Sequence, residues 1–360
     1  MHERGSSHGC PGLERLEAIL RGTASADEEA HVSSCRSCGD RLDEMRRANR
    51  FLERFVSTER TAPMVPDVDH SSLCPEVEGY RDLELHASGG QGLVYRAHHP
   101  STGRQVAIKI PLGDMVRRPS TRYRFQREIE LTARLDHPSI VRVFGDCATS
   151  DGRLGCVMEF APGRPIDAWS DAHRGPDQAS VRRLVETMRE VCDAISYAHQ
   201  RAILHRDIKP GNVLVDDDHR AHVLDFGLAK ETDSDSCTFA TQAGAFLGTL
   251  AYAAPEQLDG DPSRIDVRTD VHGLGLLLYR VLSGRPPHRS DLPTEALFRS
   301  IRDGVREPPS AFARGVDADL DAITLRAISS DPERRYRSAG ALRDDLDLWL
   351  QGGAVVARFD

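Results

Sequence analysis

The sequence lacks any apolar run of the roughly 18 residues that a membrane-spanning helix needs. Its first twelve residues, MHERGSSHGCPG, also lack the apolar centre of a secretory signal peptide. These two absences predict a cytoplasmic protein with no membrane segment in this chain. The chain has no excess of positive charge either, because 47 Lys and Arg residues stand against 56 Asp and Glu residues. Since binding to a phosphate backbone needs clustered positive charge, we expect no nucleic acid partner.

Cysteine is sparse and scattered, with eight residues at positions 10, 35, 38, 74, 147, 156, 192 and 237. In a reducing compartment such a set usually provides buried thiols or metal ligands rather than disulfides. Hydrophobic periodicity is missing from residues 57–79, where the segment STERTAPMVPDVDHSSLCP contains three prolines, which predicts a linker. The predicted order is therefore a helical unit over 1–56, this linker, a large domain over 80–350 and a tail over 351–360.

The unit over residues 1–56 has apolar residues at helical spacing, but too few of them for a core that is stable alone. Below about 40 to 70 residues, a domain usually needs a metal or a partner. On a helix, His31, Cys35 and Cys38 of the segment HVSSCRSC would share one face. Cys10 is the available fourth thiol, so the segment predicts a tetrahedral Zn²⁺ site.

This segment resembles the small zinc-binding domain of bacterial anti-sigma factors, in which H-x3-C-x2-C follows an upstream cysteine. The resemblance implies a structural Zn²⁺ and a docking role toward a regulatory protein such as a sigma factor. Two other interpretations stay open: a thiol switch, with or without zinc, and a plain helix with buried thiols.

The large domain begins with a glycine-rich turn. Residues 87–97, ASGGQGLVYRA, lie between two predicted strands, where backbone amides could approach phosphates, although a simple glycine hairpin has the same pattern. A third predicted strand ends in VAIK, which places Lys109 among apolar residues. Glu128 lies on the packing side of a predicted helix, TRYRFQREIELTARL. Each of these two residues could instead be an ordinary surface charge.

Two later segments contain the residue types that phosphoryl transfer needs. The segment ILHRDIKPGNVLV places Asp207, Lys209 and Asn212 between apolar runs, and VLDFGLAK places Asp225 after a strand. Carboxylates, a lysine and an amide can bind the acceptor hydroxyl, the phosphates and magnesium. Together with the glycine loop, VAIK and the AAPE of residues 253–256, these segments resemble the signature set of protein kinases over roughly residues 80–350.

The resemblance implies an α+β, bilobal protein kinase fold, with a β-rich N-terminal lobe and a helical C-terminal lobe, preceded by the small all-α zinc-binding domain. It implies a bacterial Hanks-type, non-specific serine/threonine kinase that uses ATP and Mg²⁺ and acts on protein substrates. The lysine two residues after Asp207 and the segment GTLAYAAPEQ are typical of the serine/threonine group. The alternative is a nucleotide-binding pseudokinase scaffold whose zinc domain docks a partner.

The resemblance also assigns roles to single residues. Lys109 holds the α- and β-phosphates and pairs with Glu128, Asp207 accepts the hydroxyl proton, and Lys209 steadies the γ-phosphate. Asn212 and Asp225 bind magnesium, and Thr249 bonds to Asp207 and Lys209. The remaining ATP-binding positions are Ala87, Ser88, Gly89, Gly90, Gln91, Gly92, Val94, Ala107, Met158, Glu159 and Ala161. Ala87 departs from the family pattern, because it replaces the first loop glycine.

Further positions have implied supporting roles. Asp270 is expected to anchor the catalytic loop, which is the segment from His205 to Asn212 that contains Asp207. Arg335 is expected to pair with Glu256. Arg206, which precedes Asp207, is expected to receive a phosphate on the loop between Asp225 and Glu256. In that loop Thr241 is the favoured site of autophosphorylation.

Overall fold

The chain divides into two compact units, Met1–Ser57 and Thr58–Asp360. The computed structural model describes residues 19, 25, 30–32, 35, 38 and 42 of the first unit. In the second unit it describes residues 75–89, 92–111, 119–226, 250–259, 261–289, 292–305 and 307–358. Among all these residues, no helix has the length and apolar character required to span a membrane.

The described residues of the first unit are mostly helical and share a small core. Val32, Cys38 and Leu42 are buried together, and Ile19 and Cys35 pack against them. The expectation of helical structure throughout residues 31–38 is wrong at Cys35, which is not helical. Its amide N–H nevertheless donates to the carbonyl of His31 at 2.8 Å. That helical hydrogen bond keeps the four-residue spacing between the two side chains.

The small lobe of the second unit is built on an antiparallel sheet with the strand order β1-β2-β3-β5-β4. Its strands are β1 (Arg81–Gly89), β2 (Gly92–His98), β3 (Gln105–Ile110), β4 (Val143–Ala148) and β5 (Leu154–Glu159). Helix α1 (Pro119–Thr132) packs against β4. The three predicted strands are confirmed within β1, β2 and β3.

Strand β3 is buried on both faces, which explains its continuous apolar sequence. Val106, Ile108 and Ile110 belong to one buried cluster, whereas Ala107 belongs to another that contains residues of α1. Because side chains alternate along a strand, Lys109 lies on the same face as Ala107. The sheet thus directs this lysine toward α1.

Residues before Tyr80 also belong to the small lobe. Val77, which the sequence places in the linker, is buried and forms a β-bridge with Thr149. The amide of Ser150 donates to the carbonyl of Glu76 at 2.8 Å. Ordered packing therefore begins at or before residue 76.

The large lobe is mainly helical. Its helices are α2 (Ile166–His173), α3 (Gln178–His199), α4 (Pro255–Leu258), α5 (Val267–Ser283), α6 (Thr294–Asp303), α7 (Ala318–Ala327) and α8 (Ala339–Leu350). A short sheet contains β6 (Arg164–Pro165), β7 (Val213–Val215) and β8 (Ala221–Val223). Helix α5 is buried along most of its length and packs against α3, α7 and α8, so it forms the centre of this lobe.

The predicted C-terminal tail packs onto the large lobe. The buried carboxylate of Asp345 accepts hydrogen bonds from the Tyr336 hydroxyl at 2.6 Å and from the amides of Val356 and Ala357 at 2.6 and 3.0 Å. Val355 is buried in the main core. The large lobe therefore includes residues beyond 350.

Candidate active site

Lys109 connects the small lobe to the segment after β8. Its side chain is buried, and its Nζ donates to Oδ2 of Asp225 at 2.7 Å. A lysine on the inner side of a sheet needs an anion, because burial of an uncompensated charge is costly. The structure thus brings together a predicted phosphate ligand and a predicted magnesium ligand.

Glu128 lies on α1, on the side that packs against the sheet. Its neighbours Phe125 and Ile129 are buried in the cluster that contains Ala107, and Glu128 itself is half-buried. This placement agrees with a carboxylate directed toward the site. The predicted ion pair between Glu128 and Lys109 stays a prediction.

Four of the predicted ATP-binding residues share one apolar cluster. Ala107 and Met158 are buried and face each other across β3 and β5, and Val94 and Ala161 pack against them. Leu224 belongs to the same cluster, although our sequence reasoning gave it no role. Its position directly before Asp225 is the signal that could have identified it.

The glycine-rich turn joins β1 to β2. Gly89 pairs with Gly92, whose φ is +150°, and a Cβ on Gly92 would lie 2.5 Å from the carbonyl oxygen of Ile110. A glycine is therefore required at position 92. Ala87 and Ser88 are exposed residues of β1, whereas Gly90 and Gln91 lie outside the described residues.

Three of the predicted catalytic residues meet on one short loop. Oδ2 of Asp207 accepts hydrogen bonds from Nζ of Lys209 at 2.8 Å and from Nδ2 of Asn212 at 3.0 Å. The same Nδ2 donates to the carbonyl of Asp207 at 2.7 Å. The carboxylate is thus held in one orientation. Thr249, the fourth predicted member of this group, lies outside the described residues.

Asp270 fastens this loop to α5. Its buried carboxylate accepts from the amide of Arg206 at 2.7 Å, the amide of His205 at 2.8 Å and the imidazole Nε2 of His199 at 2.7 Å. Burial acts to raise the pKa of Asp270, but the His199 bond and nearby charges outweigh it and lower the pKa. Asp270 therefore stays ionised and anchors the loop, as the resemblance implied.

His205 connects the catalytic loop to the residue before Asp225. Its buried ring bonds through Nε2 to the carbonyl of Leu224 at 2.8 Å, and its Nδ1 accepts from the amide of Asp207 at 3.3 Å. Because a carbonyl can only accept, Nε2 carries the proton. Burial lowers the pKa of His205, which favours the neutral ring that these two bonds require.

Glu256 and Arg335 form a buried ion pair in the large lobe. Two nitrogens of Arg335 donate to the two carboxylate oxygens of Glu256 at 2.7 and 2.9 Å, and the Thr269 hydroxyl adds a bond of 2.9 Å. Burial acts to raise the pKa of Glu256, but the bonds from Arg335 lower it below its ordinary value. The pair implied by the resemblance is thus present.

The first unit also contains a cluster of possible metal ligands. Nε2 of His31 lies 3.5 Å from Sγ of Cys38, and the donor atoms of His31, Cys35 and Cys38 all lie within 4.8 Å of one another. Cys10, the predicted fourth ligand, lies outside the described residues.

The arrangement in the second unit contains the groups that phosphoryl transfer uses. It places a carboxylate and a lysine on one loop, and a second carboxylate beside a buried lysine. A carboxylate can accept the proton of an attacking hydroxyl, and cations can stabilise the charge of the transferred phosphate.

Comparison with known proteins identifies this unit. The family model described as "Protein kinase domain" matches residues 80–345. The chain belongs to the protein kinase family. Among curated proteins, the serine/threonine-protein kinase PknB of Mycobacterium tuberculosis is 38% identical over 266 residues, which are 73% of this chain and 41% of that protein. The kinase PknJ of Mycobacterium bovis is 36% identical over 284 residues, which are 77% of this chain and 46% of that protein.

Solved kinase structures resemble the same part of the chain. The crystal structure of the Mycobacterium tuberculosis PknI kinase domain is 28% identical and superimposes with a TM-score of 0.58, covering 77% of this chain and 97% of that one. The bilobal kinase fold is thereby confirmed. The chain spans less than half the length of the two curated kinases.

Proposed function

We propose that this protein kinase transfers the γ-phosphate of ATP to serine and threonine hydroxyls of protein substrates. The observation that carries the proposal is the Asp207 carboxylate, which is held by Lys209 and Asn212 on a loop anchored to Asp270. PknB and PknJ, which this chain resembles, are both serine/threonine-protein kinases, and this likeness supports the acceptor class.

In this mechanism Asp207 accepts the proton of the substrate hydroxyl as the hydroxyl oxygen attacks. Lys209, whose Nζ lies 2.8 Å from Asp207, is placed to stabilise charge on the transferred phosphate. Lys109 holds the phosphates that are not transferred. These residues contribute mainly by position and charge, because phosphoryl transfer needs little covalent help from the protein.

Asn212 and Asp225 suit Mg²⁺, which prefers oxygen ligands. Nδ2 of Asn212 is bonded to the carbonyl and carboxylate oxygens of Asp207, so its Oδ1 is the atom that can bind the cation. The amide of Leu224 donates to the carbonyl of Asn212 at 2.9 Å. Because Leu224 directly precedes Asp225, this bond keeps Asn212 and Asp225 close in space. When bound, Mg²⁺ supplies positive charge to the phosphate oxygens.

The apolar cluster of Val94, Ala107, Met158 and Ala161 is suited to the flat face of adenine. The amide of Glu159 already donates to the carbonyl of Arg142 at 2.8 Å. Of its two backbone groups, the carbonyl is thus the one that can accept from the amino group of adenine. The amide of Ala161 can donate to a ring nitrogen.

The proposal is tested by incubating the full chain with γ-labelled ATP, Mg²⁺ and a generic basic protein. We expect label on serine and threonine, and we expect Asp207→Asn to abolish it. Nucleotide binding with no transfer by the wild type would instead support the pseudokinase scaffold.

We further propose that autophosphorylation at Thr241 regulates the enzyme. Thr241 lies outside the described residues, so the support comes from Arg206, a half-buried cation directly before Asp207. A phosphate adds up to two negative charges and three hydrogen-bond acceptors. It can therefore form one to three charge-assisted hydrogen bonds with such a cation. Mass spectrometry should find Thr241 phosphorylated in active enzyme, and Thr241→Ala should lower activity. Full activity of this variant, or phosphate found solely on Ser234 and Ser236, would show that another residue is used.

The first unit is proposed to hold a structural Zn²⁺ through Cys10, His31, Cys35 and Cys38. In a tetrahedral site with Zn–N about 2.0 Å and Zn–S about 2.3 Å, the two donors are separated by about 3.5 Å. The distance between Nε2 of His31 and Sγ of Cys38 is 3.5 Å, so this pair of donors fits the ion, and Sγ of Cys35 lies within 4.8 Å of both. Four protein ligands leave no open position for catalysis, and the unit is then suited to docking a regulatory partner.

Metal analysis of the full chain tests this site. We expect one equivalent of zinc, lost in the Cys35→Ser and Cys38→Ser variants and retained in the control Cys147→Ser. Zinc that stays bound in both ligand variants, or is absent from the wild type, would refute the site.

A further inference from the structure

Arg206 has a backbone conformation that residues with a side chain rarely adopt. Its φ is +63°, in the left-handed region that residues other than glycine avoid. Such a conformation persists only where the surrounding structure fixes it, and such residues cluster at active sites. The contacts that fix Arg206 therefore also determine where the following residue, Asp207, is placed.

One carboxylate and one imidazole each accept a hydrogen bond from a backbone N–H at Arg206 or Asp207. Oδ1 of Asp270 accepts from the amide of Arg206 at 2.7 Å. Nδ1 of His205 accepts from the amide of Asp207 at 3.3 Å. The carbonyl of Arg206 lies between these two N–H groups along the backbone. It accepts a hydrogen bond from Gln257, a residue of helix α4.

Gln257 makes that third contact. Its Nε2 donates to the carbonyl of Arg206 at 2.9 Å, and its Oε1 accepts from the amide of Ala254 at 2.9 Å. A carbonyl can only accept and an amide N–H can only donate, so the orientation of the Gln257 side chain is determined. One side-chain amide thus bridges the catalytic loop and the start of α4.

Gln257 is itself firmly placed. The adjacent Glu256 is buried and bonded to Arg335 at 2.7 and 2.9 Å and to Thr269 at 2.9 Å. The backbone N–H of Gln257 donates to the carbonyl of Ala254 at 3.0 Å. Helix α4 can therefore serve as a fixed support for the catalytic loop.

We propose that Gln257 is a positioning residue for the phosphoryl transfer reaction. It holds the Arg206 carbonyl, and with it the left-handed backbone that orients the Asp207 carboxylate. This inference rests on the proposed kinase activity. The adenine-binding cluster around Ala107 and Met158 belongs to β3 and β5, so loss of the Gln257 contact should lower kcat and leave the KM for ATP nearly unchanged.

The Gln257→Glu variant separates the two contacts of this side chain. Glutamate has the same shape and keeps the oxygen that accepts from Ala254, but it places a second oxygen against the Arg206 carbonyl where an N–H donated before. The matched control is Gln178→Glu, which adds the same charge at an exposed position in the first turn of α3.

We expect kcat of Gln257→Glu to fall at least tenfold, with the KM for ATP within twofold of wild type and the protein still fully folded at the assay temperature. The control should behave as wild type. A kcat within twofold of wild type would overturn the proposal, as would a loss explained by a lower folded fraction. Absence of Asp207-dependent transfer in the wild type would instead refute the kinase activity.

Hydrogen exchange tests the same contact without relying on activity. In Gln257→Glu, the peptide that contains residues 203–212 should exchange at least tenfold faster than in wild type, while peptides from α8 should not change. Equal exchange of the 203–212 peptide in both proteins would overturn the proposal whether or not the chain transfers phosphate.

Discussion

Lys109 shows how a single buried charge can mark a site. In β3 it is surrounded by apolar residues, yet its Nζ lies 2.7 Å from the carboxylate of Asp225. A lysine with no functional role usually extends its flexible side chain so that the ammonium group stays in solvent. The ammonium group of Lys109 is instead buried beside a carboxylate. Its cation is therefore available to phosphates that enter the same space.

Lys109→Met should lower kcat by roughly 100-fold or more, because it removes a cation that stabilises transition-state charge while filling the same volume. Labelled-phosphate transfer measures the loss, and circular dichroism checks that the fold remains. Arg104→Met, at an exposed position before β3, is the control. Activity of Lys109→Met within tenfold of wild type would contradict the assigned role.

The buried pair of Glu256 and Arg335 predicts a stability effect. Arg335→Met leaves the carboxylate of Glu256 without its guanidinium, which should lower the free energy of unfolding by roughly 3 to 5 kcal/mol. The double variant Glu256→Leu/Arg335→Met should lose less than the sum of the two single variants, because it buries no unpaired charge. Urea denaturation measures all four proteins. Additive losses would show that the two side chains do not act as a pair.

At the scale of elements, the β1–β2 hairpin depends on one glycine. A Cβ at position 92 would meet the backbone of Ile110, whereas a Cβ at Gly89 would meet no atom within 4 Å. Gly92→Ala should therefore lower the free energy of unfolding by about 1 to 3 kcal/mol and raise the KM for ATP. Gly89→Ala, the matched control, should stay close to wild type in stability. Similar thermal midpoints for the two variants would refute this account.

The sequence predicted those elements whose signals are local. Strand-like runs on either side of the glycine-rich turn predicted β1 and β2, and the apolar run that ends in VAIK predicted β3. The spacing of Asp207, Lys209 and Asn212 predicted the loop that carries them. The missed features depend on contacts between distant segments. Val77 follows a proline-rich stretch and is ordered through Thr149, some seventy residues later. Residues 356 and 357 are held by the carboxylate of Asp345, and no local pattern announces such a bond.

Gln257 shows the same limit inside the site. Helix α4 begins at Pro255, and the Gln257 side chain accepts a bond from the amide of Ala254, the residue just before the helix. Its second bond, to the carbonyl of Arg206, crosses 51 positions. Only the folded chain shows that one amide serves both the helix and the catalytic loop.

At the scale of the whole molecule, the large lobe has a core that contains polar groups with strict protonation requirements. Asp270 and Glu256 are ionised inside it, and His205, His272 and His288 are enclosed with them. Nδ1 of His288 bonds to the Ser300 hydroxyl at 2.9 Å. The stability of this lobe should consequently depend on pH in two separate ranges.

Burial lowers the pKa of His288 from 6.5 to about 4, and burial together with the nearby charge of Arg335 lowers the pKa of His272 well below 6.5. The unfolded chain binds protons at these residues near pH 6.5, while the folded chain does not. The contribution of the neutral histidines to the free energy of unfolding is thus fully present above pH 6.5. It should be lost as the pH drops toward 4, by up to roughly 3 kcal/mol for His288. The carboxylates of Asp270 and Glu256, whose pKa values are lowered, add their loss only below their ordinary pKa values near 4.

Urea denaturation of the full chain at pH 7.5, 6.5, 5.5 and 4.5 measures this dependence. We expect the free energy of unfolding to fall across the last three values, and we expect His288→Gln to show a smaller fall than wild type. His86→Gln, at an exposed position on β1 and outside the large lobe, is the matched control and should keep the wild-type slope. An unfolding free energy that is constant from pH 7.5 to 4.5, or an equal slope in His288→Gln and wild type, would show that the buried histidines do not control the acid stability of this lobe.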